Sequence, residues 1–186
     1  FTSLKAIPDS AFYGCVTLTT IKLPKNIESI GAQAFNGCRT LKTFKLPDHV
    51  NVIGKGAFSG CRVLPDQTLP AGLTAIADST FAGCSSLTNM SIPANVKYIG
   101  TQAFSQCTKL LEFTVSSMSP ENIVLGTDVF EGIALANARL NVPQGTKTYF
   151  STADQWKEFG SIYEERSLSG GKFIPQIGRA SCRERV

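Results

Sequence analysis

The sequence predicts a strand-dominated α/β solenoid, a single file of short units stacked one on the next, and three observations predict it. Five cysteines, Cys15, Cys38, Cys61, Cys84 and Cys107, are each separated by 23 residues. The same register carries Phe12, Phe35, Phe58, Phe81 and Phe104, then Leu18, Leu41, Leu64, Leu87 and Leu110, and then Ile7, Ile30, Ile53, Ile76 and Ile99. A 23-residue unit is too short to bury a core of its own, so its apolar face must be covered by its neighbours in a stack. The wider composition agrees. At 186 residues, 42% hydrophobic and 17% charged, the chain has the balance of a globular protein, and no run reaches the ~18 apolar residues of a membrane-spanning helix.

Each element follows from its residues. The first unit, Phe1 to Cys15, is only part of a repeat, and a start at Phe1 rather than Met reads as a fragment of a longer protein with no N-terminal cap. Within a full unit, Leu41, Phe44 and Leu46 alternate with Thr43 and Lys45 and stop at Pro47, as a short strand does. Val50 and Ile53 bring the chain back inward, and Gly54, Ala57, Phe58, Gly60 and Cys61 read as a short helical turn across the back, closed by glycine. Successive strands would lie about 4.8 Å apart, turning each column into a ladder through the core.

The register is imperfect in places. Gln67 stands where Ile21, Phe44, Met90 and Phe113 are apolar, marking the least regular strand, beside Pro65. Ala77 and Thr80 replace the Gly and Ala of one copy, and Gln106 replaces a Gly in another. Phe104 to Phe130 spans 26 residues, which places an insertion around Ser116 to Asn122. Beyond Pro143, Thr152 and Gln155 have capping-box spacing, and Ala153, Trp156, Phe159 and Ile162 recur every three residues. These predict a C-terminal capping helix within Tyr149 to Glu164. The expected organisation is an array over 1–145 of about six units, a cap over 146–166, and a linker or tail over 167–176. The final ten residues, 177–186 (IGRASCRERV), resemble a sequencing adapter read in frame and are expected to be non-native; they carry a net +2 of the chain's +4.

The stretch Ile30-Gly31, Ala34-Phe35 and Gly37-Cys38, repeated at 53–61, resembles the BspA-type leucine-rich repeat from about Leu4 to Pro143. The resemblance implies a leucine-rich repeat solenoid with short parallel strands on a concave face, helical turns on the back and an aromatic closing helix. It also implies a bacterial protein that is secreted or held at the cell surface, and a macromolecular partner, protein or glycan.

No catalytic chemistry stands out. His49 is the single histidine and follows Asp48 at a polar turn, without the nucleophile and orienting group that a catalytic base needs. No nucleotide, hydrolase or zinc-protease motif is present. A cysteine column at even spacing lacks the local pairs and histidines of a metal site, and adjacent-rung disulfides would pair only four of five, so buried free thiols are expected. No cofactor and no metal are expected. Lys22 and Lys45 lie on the strand side but Arg39 and Arg62 on the opposite side, which divides the charge and argues against nucleic acid. Asn89-Met-Ser91 matches a glycosylation triplet, which would matter only in a eukaryotic secretory pathway.

The candidate site follows from alternation along the strands. One outward column is Thr20, Thr43, Asp66, Asn89 and Glu112, and the next is Lys22, Lys45, Thr68, Ser91 and Thr114. Unlike the core columns, neither of these keeps one residue type along its length, and they run from cationic at Lys22 and Lys45 to anionic at Glu112. The expected function is non-enzymatic protein binding or adhesion through this face; the alternative is a structural spacer or accessory array in a larger protein.

Overall fold

The computed structural model describes residues 4–165 and shows a parallel β-solenoid of about seven turns with little helix. The expected linker over 167–176 and tail over 177–186 lie outside the described residues, as does position 166 at the end of the expected cap. In chain order the strands are β1 (Ala6–Ile7), β2 (Ser29–Ile30), β3 (Val52–Ile53), β4 (Ala75–Ile76) and β5 (Asn89–Ile92). They continue as β6 (Tyr98–Ile99), β7 (Glu112–Val115), β8 (Val124–Leu125), β9 (Arg139–Pro143) and β10 (Ser161–Glu165).

The strands form two columns. The expected one, stopped by proline, becomes a four-stranded parallel sheet in the order β10-β9-β7-β5. Toward the N-terminus it thins to single bridges, Thr20 to Thr43 and Thr68 to Ser91. The second column was read from sequence only as an inward return at Val50 and Ile53. It consists of two short parallel sheets, β1-β2-β3 and β4-β6-β8, in which Ile7 pairs with Ile30 and Ile30 with Ile53.

The back of each turn is not helical, which corrects the expectation. Ala11, Tyr13 and Cys15 N–H groups donate to the carbonyls three residues earlier, at Pro8, Ser10 and Phe12. Between them, Ser10, Phe12 and Gly14 donate to Ala32, Ala34 and Asn36 of the next turn at 2.7–2.8 Å. This alternation of tight turns and inter-turn bonds requires left-handed backbone at two positions per unit. One is a glycine column, Gly14, Gly37, Gly60 and Gly83. The other is Ser10, Gln33, Gly56, Ser79 and Gln102, with φ of 52° to 62°. An α-helix admits neither, whereas the third residue of a type II turn requires such a φ.

The ladders fill the interior. Phe35, Phe58, Phe81 and Phe104 are fully buried, and the phenylalanine rings from Phe12 to Phe130 stack nearly parallel, with centroids 5.0–6.3 Å apart. Phe44 and Phe113 meet that stack edge-on from the strand side. Burying each ring contributes about 1.5–3 kcal/mol, and each aromatic pair about 0.5–1.5 kcal/mol more, so the column is a major source of cohesion between turns. Thr80, which replaces an alanine, is buried and donates its hydroxyl to Ala77 O at 2.8 Å, so the exchange leaves no polar orphan.

The closing segment also departs from expectation. Only α1 (Lys147–Phe150) is α-helical, Trp156–Glu158 is a single 3₁₀ turn, and Ser161 onward is strand β10, paired in parallel with β9. The capping helix predicted within Tyr149 to Glu164 is therefore a degenerate seventh turn. Its inward residues were identified correctly: Trp156 and Phe159 are buried, and Ala153 and Ile162 pack against the core. Helix spacing and the inward positions of such a turn coincide over this short stretch, but Gln155, at φ 63°, takes the left-handed conformation of the earlier turns. Its amide accepts from Val129 N at 3.2 Å and donates to Gly126 O at 2.8 Å, tying the closing turn to the unit before it.

Candidate functional site

The strand face is set by alternation. Along β5 and β7 the inward residues are Met90, Ile92, Phe113 and Val115, all buried, which leaves Asn89, Ser91, Glu112 and Thr114 on the outer side. The register aligns Asn89 with Glu112 and Ser91 with Thr114. Thr20, Lys22, Thr43, Lys45, Asp66, Thr68, Asn89 and Ser91 are exposed, while Glu112 and Thr114 are half-buried. All ten predicted positions thus share one surface.

That surface extends further than the sequence indicated. Glu112 pairs with Arg139 and Thr114 with Asn141, and β10 then adds Ser161, Tyr163 and Glu165 beside β9. The Arg139 guanidinium lies 4.7 Å from the Tyr163 ring centroid, a cation–π contact. The buried Asn141 donates to Glu112 Oε1 at 3.0 Å and Thr114 Oγ1 at 3.4 Å. The insertion lengthens the spacing from 23 to 26 residues and one further residue between Phe130 and β9 makes it 27 from Glu112 to Arg139, which hid these positions from column counting.

Several polar groups on the face satisfy one another. Asp66 Oδ1 accepts from Thr88 N at 2.7 Å, and Asp66 Oδ2 accepts from the Thr88 hydroxyl and the Asn89 amide at 2.7 Å each. Asn89 is thereby occupied, although it heads the glycosylation triplet. Gln67, beside Asp66 on the inward side of a segment that makes only the Thr68 bridge, is buried. Its Oε1 accepts from Leu46 N at 3.2 Å, and its Nε2 donates to Pro65 O at 2.8 Å and Phe44 O at 3.4 Å. A side-chain amide thus stands in for main-chain pairing where the ladder is broken, which accounts for the irregularity seen there.

Two clefts open on the face. One, of about 560 Å³, spans the first two full strand segments and is lined by Lys22, Lys25, Lys45 and His49 around Leu23 and Phe44. The other, of about 450 Å³, lies at the opposite end among Ser91, Glu112, Thr114 and Glu165. Burial, reinforced by the nearby Glu112 carboxylate, raises the pKa of Glu165. Its Oε2 is buried without a hydrogen-bond partner. The cationic-to-anionic run from Lys22 to Glu112 is therefore a property of two separate clefts.

Behind the face, Cys38, Cys61, Cys84 and Cys107 are buried free thiols. Each donates to the carbonyl of the phenylalanine 26 residues earlier, at 3.0–3.1 Å. Burial pushes the thiols up, Cys61 and Cys107 to about 12. A reactive thiolate needs the opposite shift. Among the described residues no group of three His, Cys, Asp or Glu could hold a metal, and no helix is long and apolar enough to cross a membrane.

Comparison with known proteins follows the same lines. Residues 5–137 match a family model described as the BspA type leucine rich repeat region, in six copies. A leucine rich cell surface protein from Faecalibacterium prausnitzii is similar in structure, with 25% identity and a TM-score of 0.52. The match covers 81% of this chain and 33% of that one, so the chain spans about a third of its length. A leucine rich repeat protein of T. pallidum has 28% identity and a TM-score of 0.52, covering 68% of this chain and 69% of its own. The pneumococcal vaccine antigen PcpA shares the fold at 20% identity and a TM-score of 0.60, covering 80% and 42%. No curated protein sequence matches the chain.

Proposed function

The chain belongs to the BspA-type leucine-rich repeat family, and from that premise we propose that it is a non-enzymatic binding or adhesion module of a secreted or surface-exposed bacterial protein. Its partner is a protein or glycan engaged across the strand face. One observation carries this reading: the core columns keep one residue type from turn to turn, whereas the outward positions backed by them, Thr20 to Glu112 and Lys22 to Thr114, are exposed or half-buried, aligned, and change in type along the stack, from threonine and lysine in the first two turns to aspartate, asparagine, serine and glutamate further on. A surface of that kind can be changed without disturbing the stack. The surface location is supported by the similar protein from Faecalibacterium prausnitzii, described as a cell surface protein.

A second reading, a structural spacer or accessory array, draws support from the internal bonding of the face. Asp66 is saturated by Thr88 and Asn89, and Glu112 is held by Asn141. Both readings meet one experiment. The chain is immobilised and tested against a panel of matrix proteins and glycans, alone and with Lys22→Glu plus Lys45→Glu, with Glu112→Lys, or with Arg39→Glu plus Arg62→Glu. The binding reading expects loss with strand-face changes and retention with the Arg39 and Arg62 changes. Absence of any saturable partner, or loss only at Arg39 and Arg62, would favour the spacer or move the site to the other side.

A further inference from the structure

We propose that the cleft over the first two full strand segments takes a short acidic peptide segment, with one apolar side chain seated against Leu23 and Phe44 and its carboxylates meeting Lys22, Lys25 and Lys45. This deepens the reading of the strand face as a binding surface and rests on it.

Three features of the cleft select that occupant. Its volume, about 560 Å³, is that of a site for a few side chains rather than a flat contact. Its charge is one-sided: three lysines face a single carboxylate, Asp48, with His49 beside them. Among the described residues Lys22, Lys25 and Lys45 form no ion pair, so their charge is free for a partner. Its walls are apolar as well as basic. Ile21 and Leu23 are half-buried and pack at the edge of the core beside Phe44 and Leu46. A polyanionic glycan would satisfy the lysines but leave these walls uncovered, whereas a peptide pairing carboxylates with one leucine-like side chain covers both.

The rest of the face fixes where such a segment lies. At the other end Glu112 and Glu165 would repel its carboxylates, and Arg139 is already engaged over Tyr163. Attraction at one end and repulsion at the other hold the segment over the first turns and make association salt-sensitive.

The test uses the full chain and a dye-labelled decapeptide of alternating Glu and Leu, read by fluorescence anisotropy. Companion probes replace Glu by Gln or Leu by Ser, and a heparin oligosaccharide of similar charge serves as competitor. The expected result is saturable binding that weakens at least tenfold with Lys22→Glu plus Lys45→Glu and with the Gln probe, and at least fivefold with the Ser probe. Binding should hold with Arg39→Glu plus Arg62→Glu, on the opposite side, and fall as salt rises. The milder Lys22→Gln plus Lys45→Gln should weaken binding several-fold while leaving the circular dichroism spectrum and melting temperature unchanged, separating charge from fold. Equal binding of the Leu and Ser probes, or tighter binding of the oligosaccharide, would overturn the peptide proposal while leaving the strand face as a binding surface. No saturable peptide binding, in a chain whose capture of a matrix protein still depends on strand-face residues, would do the same. Peptide binding that responds only to Arg39→Glu plus Arg62→Glu would overturn both.

Discussion

Between Thr20 and Leu69 the strand face holds together through a single bridge and the amide of Gln67, whereas from Asn89 to Glu165 four strands pair in parallel without a break. The core behind the two halves is nevertheless the same. Phe35 and Phe81 stack on Phe58 with equivalent geometry, and Cys38 and Cys107 make equivalent thiol bonds. Cohesion along the stack therefore comes from the phenylalanine, cysteine and back-turn ladders, and strand pairing is a local option laid over it. The half with the sparser pairing is also the half with the basic, apolar-walled cleft. Where the backbone ladder is interrupted, side chains rather than main chain define the surface.

The largest expected effect tests whether the two halves share one foundation. Cys38, Cys61, Cys84 and Cys107 all have thiol pKa values raised chiefly by burial, against an ordinary value of 9.0. An acid whose folded pKa is raised adds stability while protonated in both states and loses that contribution as pH climbs above its unfolded value. Stability should therefore fall above about pH 9, by up to roughly 1.4 kcal/mol per pH unit for each of Cys61 and Cys107, whose thiols are pushed up to about 12, and both halves should loosen together. Urea midpoints at pH 7, 9 and 10 measure this. Cys61→Ala plus Cys84→Ala should cost about 1 kcal/mol per site at pH 7 but flatten the alkaline loss. Cys61→Ser retains Phe35 O as an acceptor, which offsets part of the cost of burying its hydroxyl.

A smaller effect should fall on one half alone. Gln67→Leu leaves the buried Leu46 N–H without its acceptor and should cost about 1–3 kcal/mol. Hydrogen exchange should quicken at Leu46 and stay unchanged at Phe113. A gain in stability would mean that the strands pair once the amide is gone, which would erase the contrast between the halves.

The smallest effect belongs to the other half. The raised pKa of Glu165 means that its contribution is present below the ordinary carboxylate range and lost as pH rises through it. Glu165→Gln should raise the melting temperature slightly at pH 7 and leave it unchanged at pH 4. An equal shift at both values would assign the effect to packing.

The repeat period, the core columns and the outward face were legible because each depends on residue type at fixed spacing. The back turns were misread because Ala57, Phe58 and Gly60 are as compatible with a helical turn as with consecutive β-turns. The deciding left-handed positions are filled by Ser10, Gln33 and Gln102, which carry no glycine signal. The second strand column has only two residues per turn, too few to show alternation. At the closing turn a spacing of three fitted both a helix and an irregular repeat, and assigning 149–164 to a helix concealed Ser161 and Tyr163 as members of the face, and with them the strand that runs on to Glu165. The contribution of Gln67 depends on a broken ladder, which no spacing rule describes.

The thiol column also gives the solenoid a built-in record of the order in which it opens. Each buried Sγ is bonded to a carbonyl of the preceding turn, so a reagent can reach it only when those two turns part. A pulse of alkylating agent followed by peptide mapping would date the separation of each turn from its neighbour. Cys15, half-buried, marks the start of that scale. An array that unzips from one end would label its cysteines in sequence, whereas one that opens cooperatively would label Cys38 to Cys107 at a common rate.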